Sequence, residues 1–183
     1  MKTIVPLVCL ATVLCNAAVS QAGPFGPSYS VRDSLGAATS NPWQGTRTLY
    51  LTVGSVVADI ETAEFILAVS GGITLVSMSA LEPWANEGLG DRVLLRRSEC
   101  SGPGGLGEQA LRIVVSDAEG VGGRICIEGP DGLLDPYSRA CNDPGSLFFG
   151  AHSGFASDGG PLCESLVVSS SSSSWSTLKS TFR

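Results

Sequence analysis

The sequence predicts an all-β chain: an antiparallel β-sandwich, jelly-roll or immunoglobulin-like, with about nine short strands and disulfide staples. Three observations carry this. In RTLYLTVG (47–54), Leu49, Leu51 and Val53 alternate with Tyr50 and Thr52, the period-two pattern of a strand with one buried face. Similar runs are parted by SGG, EGLGD, SGPGGLG, EGVGG, GPDG, NDPG and SDGGP, which are dense in residues that supply a positive or preset φ. No long amphipathic helical pattern lies between the runs. The 23 glycines also disfavour helices, at about 1 kcal/mol each in a helix interior.

The elements follow in order. SYSVR (28–32) and RTLYLTVG (47–54) open the domain, and AEFILAV (63–69) and ITLVSMSA (73–80) follow, parted by Ser70-Gly71-Gly72. RVLLRRS (92–98), ALRIVVS (110–116) and RICIEG (124–129) come next, then SLFFGAH (146–152) and ESLVVSS (164–170). Strands at such short intervals favour a sandwich, because an α/β fold needs crossover helices that these connections cannot hold. ALEPWANEGLGD (80–91) could hold one helical turn. There is no internal repeat.

Both ends differ from this pattern. Lys2, the apolar run from Ile4 to Leu14 and the small residues up to Ser20-Gln21-Ala22 predict a secretory signal peptide over 1–22. The run is too short to span a membrane as a helix. Leu14 stands before Cys15, where a lipid-modified cysteine needs a small residue, so a lipoprotein is not expected. The sandwich is then expected over 23–168, with a serine linker over 169–174 and an aromatic-basic tail over 175–183. On a helix, Trp175, Leu178 and Phe182 would share one face of that tail, but nine residues are too few to hold a helix alone. The expected location is extracytoplasmic: secreted or at the cell surface.

Charge and cysteines narrow the class. Of 11 basic residues Lys2 leaves with the signal, so ten face 17 acidic ones, a net charge of −7. Such a domain has no overall footprint for nucleic acid or anionic lipid. Cys100, Cys126, Cys141 and Cys163 remain, at spacings of 26, 15 and 22 residues and without a Cys-x-x-Cys pair. Exported cysteines so spaced read as two disulfides and not as a zinc site. Three pairings are open. The loop EGPDGLLDPYSRA makes Cys126–Cys141 the easiest closure, which leaves Cys100–Cys163.

Several motifs offer chemistry. ASDGGPL (156–162) resembles the stretch around the nucleophile of chymotrypsin-like serine proteases, but aligned on Gly-Gly-Pro-Leu it puts Asp158 where that family has serine. The only histidine, His152, lies six residues before that position, whereas the family's base lies far earlier in the chain. A turn is expected instead, with Asp158 capping it, Gly159 and Gly160 free to take positive φ, and Pro161 leading into a strand that holds Cys163. GPGGLG (102–107) matches a dinucleotide fingerprint, yet ALRIVVS follows it as a strand where the fingerprint opens a helix, so no cofactor is expected. DAEGVGG and GPDGLLDP make Asp117, Glu119, Asp131 and Asp135 candidates for a calcium ion between loops, against the simpler reading of solvated turn carboxylates. Tyr29, Trp43, Tyr50, Trp84 and Tyr137 could serve a sugar platform or plain packing.

Residues 48–81, TLYLTVGSVVADIETAEFILAVSGGITLVSMSAL, are similar to the opening of cohesin-like modules. In those an alternating strand and a bend precede a Phe-x-apolar strand, here begun by Ala63, Glu64 and Phe65. A further apolar strand follows, here with Ile73, Leu75 and Val76. The family's Asp-Pro after the middle strand is replaced by Ser70-Gly71-Gly72. The resemblance implies a binding or scaffolding sandwich. A non-catalytic module for a protein or carbohydrate ligand is therefore expected, and the alternative is a secreted hydrolase with a carboxylate pair that sequence does not reveal.

Overall fold

A computed structural model describes residues 26–55, 59–100 and 107–165 of the 183-residue chain. The expected signal peptide, the serine linker, the tail and most of GPGGLG lie outside the described residues. The strands are β1 (Ser28–Asp33), β2 (Gly45–Gly54), β3 (Ile60–Gly71), β4 (Ile73–Ala80), β5 (Trp84–Asn86), β6 (Arg92–Arg97) and β7 (Glu108–Asp117). They continue with β8 (Gly123–Glu128), β9 (Tyr137–Ala140), β10 (Asp143–Phe149), β11 (Ala151–Ser153), β12 (Phe155–Ala156) and β13 (Glu164–Ser165). One sheet has the order β13-β11-β1-β2-β7-β4. The other has the order β10-β9-β3-β6-β5, and β8 pairs with the second half of β3 and with β12. Pairing between named strands is antiparallel except between β1 and β11.

Period-two alternation builds the core between the sheets. Leu49, Leu51 and Val53 of β2 and Leu111, Ile113 and Val115 of β7 point inward from the first sheet. Ala63, Phe65 and Leu67 of β3, Val93 and Leu95 of β6, and Ile125 and Ile127 of β8 meet them from the second. Burying each of the larger side chains contributes about 1.5–3 kcal/mol. Tyr29 crosses this layer, its ring 5.8 Å from Phe65 and its hydroxyl bonded to Ser138 Oγ on β9. Burial pushes the Tyr29 hydroxyl above its ordinary pKa, and the Ser138 bond only partly opposes this.

The described parts of the expected runs map onto the sheets with three adjustments, and residues 166–170 of ESLVVSS lie outside the described residues. ALEPWANEGLGD forms the short strand β5 in place of a helical turn, because Trp84 buries its ring inward and Ala85 pairs with Arg96. SLFFGAH is two strands: the chain bends at Gly150, where a Cβ would fall 2.4 Å from the Tyr29 ring. Cys163 precedes β13 in a loop, its carbonyl accepting from Gly154 N at 2.8 Å.

The disulfides join Cys100 to Cys141 and Cys126 to Cys163, with Cα separations of 5.9 and 5.3 Å. The expected pairs Cys126–Cys141 and Cys100–Cys163 are thereby corrected, and β3 supplies the reason. Cys126 stands opposite Ala68 and Ala140 opposite Ile60, eight residues apart along β3 (68 minus 60), or about 26 Å of strand. Loop length suggested proximity, and the sheet register forbids it. Cys100 instead follows β6, whose Arg96 pairs with Thr62 near the start of β3, and so comes beside Cys141.

Candidate functional site

Two neighbouring turns carry the chain between the sheets. β3 passes to β4 through Gly71, at φ 78°, where a Cβ would sit 2.7 Å from Gly123 Cα. β7 passes to β8 through residues 118–122, and Gly72 N donates to Gly122 O at 2.8 Å. Asp117 closes this corner. Its buried carboxylate accepts from Gly120 N at 2.7 Å and Gly122 N at 2.6 Å. Burial pushes the Asp117 pKa up, but the amides of Gly122, Gly120, Val121 and Glu119 outweigh it and hold the group below the ordinary carboxylate value.

ASDGGPL belongs to the same corner. Ser157 is buried, its Oγ accepting from Gly123 N at 3.1 Å, while its own N donates to Gly123 O at 2.9 Å. Asp158 accepts from Gly160 N at 2.9 Å and from Arg124 Nε at 2.8 Å. The Gly160 amide, against some burial and helped by Arg124, lowers its pKa. Gly159 takes φ 72°. Gly160 does not take positive φ; a Cβ there would fall 1.8 Å from the Arg124 guanidinium, which would have to shift. His152 lies on β11 with Asp135 at 3.8 Å; burial lowers its pKa more than that carboxylate raises it. Neither Ser157 nor Asp158 is bonded to this imidazole.

The calcium candidates do not converge. Asp117 is occupied by backbone amides, Glu119 is exposed, Asp131 pairs with Arg92, and Asp135 faces His152. Among the described residues no three His, Cys, Asp or Glu groups gather to hold a metal ion. The aromatics also scatter. Tyr29 is in the core, Trp43 lies under the Arg47 guanidinium at 4.4 Å, and Trp84 has Arg97 at 5.8 Å. Tyr50 and Tyr137 lie on opposite outer faces of the sandwich.

The outer face of the second sheet carries a network that the sequence did not single out. Glu64 points outward from the middle of β3 yet is nearly buried, because Arg92 and Tyr137 close over it. Arg92 Nε donates to Glu64 Oε1 at 2.8 Å, its Nη2 also bonds that oxygen, and the Tyr137 hydroxyl donates to Oε2. The same guanidinium holds Asp131 with two bonds of 3.0 Å. Desolvation, and then the Glu64 bond, push the Tyr137 pKa up to about 12. Arg96 bridges Glu61 and Glu87, each at 3.2 Å. Around this fixed charge stand apolar side chains. Phe149 packs edge-on to Tyr137 at 6.3 Å and remains 40% exposed, and Leu147 lies beside it. Leu134 and Leu89, each 87% exposed, project from the loops at the strand ends. In AEFILAV the one acid among apolar residues was the available signal, but its partners come from strands whose neighbours only the fold specifies.

No protein-family model matches this sequence, and no curated protein matches it in sequence. Solved structures do match in shape. The sixth cohesin of scaffoldin B from Acetivibrio cellulolyticus, in complex with a dockerin, aligns with a TM-score of 0.52 at 12% identity. The alignment covers 73% of this chain and 98% of that one. A type I cohesin from Clostridium thermocellum, also in complex with a dockerin, aligns with a TM-score of 0.50 at 8% identity, over 73% of this chain and 92% of its own. The fold is a cohesin-like β-sandwich.

Proposed function

We propose that this chain is a secreted, non-catalytic module that binds a protein partner through the outer face of β10-β9-β3-β6-β5. The observation that carries the reading is the combination on that face. Exposed Phe149, Leu147 and Leu134 surround a charge network that is already ordered and needs no rearrangement on binding. Aromatic and arginine anchors within an apolar surround are the composition of protein interfaces, and pre-ordered side chains lower the entropic cost of association. The similar cohesins were solved with dockerins, which favours a small folded protein module as the partner. Export is supported by two disulfides and by the leader-like first 22 residues. A hydrolase would need a free carboxylate pair across a cleft. Glu64, Asp117 and Asp158 instead spend their oxygens on fixed internal donors.

The test is retention of proteins from the organism's extracellular fraction on the immobilised full chain, compared with Leu134→Asp and Phe149→Ala. One defined protein is expected to be retained by the parent and weakened about ten-fold or more by either change. Retention that both variants leave intact, or no retained protein, contradicts the assignment to this face.

A further inference from the structure

The last described residue, Ser165, lies beside the exposed loop 129–135. Ser165 of β13 pairs with His152 of β11, and His152 Nδ1 stands 3.8 Å from Asp135 Oδ1, the neighbour of Leu134. One strand spacing of about 5 Å and two side chains therefore separate Ser165 from that loop. β11 runs parallel to β1 and β13 antiparallel to β11, so at Ser165 the backbone points against β1, away from the turn that carries Leu35. It points towards Gly150 and Phe149, and Gly150 N donates to Pro136 O at 3.0 Å at the foot of the same loop.

The loop and the sequence beyond Ser165 have complementary chemistry. From Glu128 to Asp135 the chain carries three acids and no base. Leu133 and Leu134 are exposed there, and Phe149 stands partly exposed beside Tyr137. Asp131 is exposed even though it pairs with Arg92, so a second cation can approach it. WSTLKSTFR (175–183) offers the counterpart: Trp175, Leu178 and Phe182 with Lys179 and Arg183, and no acid.

We propose that residues 175–183 dock in cis on this loop and Phe149, shielding Leu134 and competing with the protein partner for the same face. Nine residues, 166–174, lie between Ser165 and Trp175. A serine-rich spacer of that length reaches about 17 Å on average and about 33 Å when extended, which is enough to span from β13 to the loop. Such a tether presents the tail to its seat at an effective concentration on the order of 1 mM. A contact of only that strength is then made about half of the time, which regulates the face without blocking it. At about 1 μM protein a second copy would offer the same tail about a thousand-fold more dilutely, so the occupant is the chain's own tail. Docking gives the apolar side chains of the tail the cover that nine residues lack alone. The contact is between side chains, and the amides of the loop gain no acceptor from it. Docking of the tail rests on the reading of this face as a binding surface, but it is measured without the partner, so either can fail alone.

Acrylamide quenching of Trp175 fluorescence in the full chain, with both disulfides intact, tests it. The difference between the parent and Trp175→Phe isolates this residue from Trp43 and Trp84. In the parent the quenching constant of Trp175 should be about half that of the synthetic peptide WSTLKSTFR, as half-occupancy implies. Leu134→Asp and Lys179→Glu should each raise it about two-fold, to the value of the peptide, and added salt should raise it part of the way. Leu35→Asp alters an equally exposed leucine elsewhere and should change nothing. The parent value should stay constant on dilution. Unchanged circular dichroism in each variant separates lost docking from lost folding. Trp175 as accessible in the parent as in the peptide would overturn the proposal. Shielding that survives Leu134→Asp would overturn it equally, as would shielding that falls on dilution, which would make a second copy the occupant.

Discussion

Residues 117–122 and 129–135 are both loops of acids and glycines that leave a strand, and composition does not separate them. The structure does. In the first, Asp117 turns inward and gives its oxygens to Gly120 and Gly122, amides of its own loop, and the loop locks onto Gly72. In the second, Asp131 takes φ 55° and turns outward to Arg92 on another strand, and Leu134 is left 87% exposed. A carboxylate that satisfies buried backbone amides is a fastening of the fold. One that pairs with an exposed side chain leaves the buried backbone unaffected. The difference lies in what the oxygens accept from, since a buried amide without a partner costs stability whereas an exposed ion pair is worth little.

The largest effect expected from this comparison is on stability. Asp117→Ala strands two loop amides in a buried corner and should lower Tm by about 10 °C. Asp131→Ala removes an exposed pair and should lower it by about 1–2 °C at most. Equal shifts in the two melting curves would erase the distinction. The pH dependence of the same curves follows from the lowered pKa of Asp117 and Asp158. As pH falls, the unfolded chain takes up protons first, near the ordinary value of 3.8. The stability these groups supply is therefore complete above that value and is lost as pH falls through their folded values. Parent Tm should drop steeply below about pH 4, and in Asp117→Ala the drop should be shallower. A smaller effect is expected at the protease-like stretch. Asp158→Ser loses the Arg124 pair but keeps a hydroxyl to cap Gly160, so Tm should fall by about 1–3 °C. A serine-directed phosphonate should label neither the parent nor this variant, because no imidazole is bonded to that position. Stoichiometric labelling of either would contradict the non-catalytic reading.

Much of the fold was legible because alternation is a local property. Leu49, Leu51 and Val53 announce their buried face without reference to any other strand, and Gly159 announces a turn. The cysteine pairing was not legible, since it depends on where β8 and β9 meet β3, and that register is set by the whole sheet. The network around Glu64 was hidden for the same reason: Arg92 is 28 residues away and Tyr137 is 73 away in sequence. Gly160 was read as free to take positive φ and does not take it, and Gly150, placed inside the expected run SLFFGAH, is required by the space beside Tyr29.

Native-state hydrogen exchange on the full chain, resolved by residue, tests the contrast between the two loops most directly. The account predicts that the Gly120 and Gly122 amides, held by Asp117, exchange as slowly as those of the core strands, while Gly132 and Leu134 exchange fast. Exchange of Gly122 as fast as that of Leu134 would contradict it.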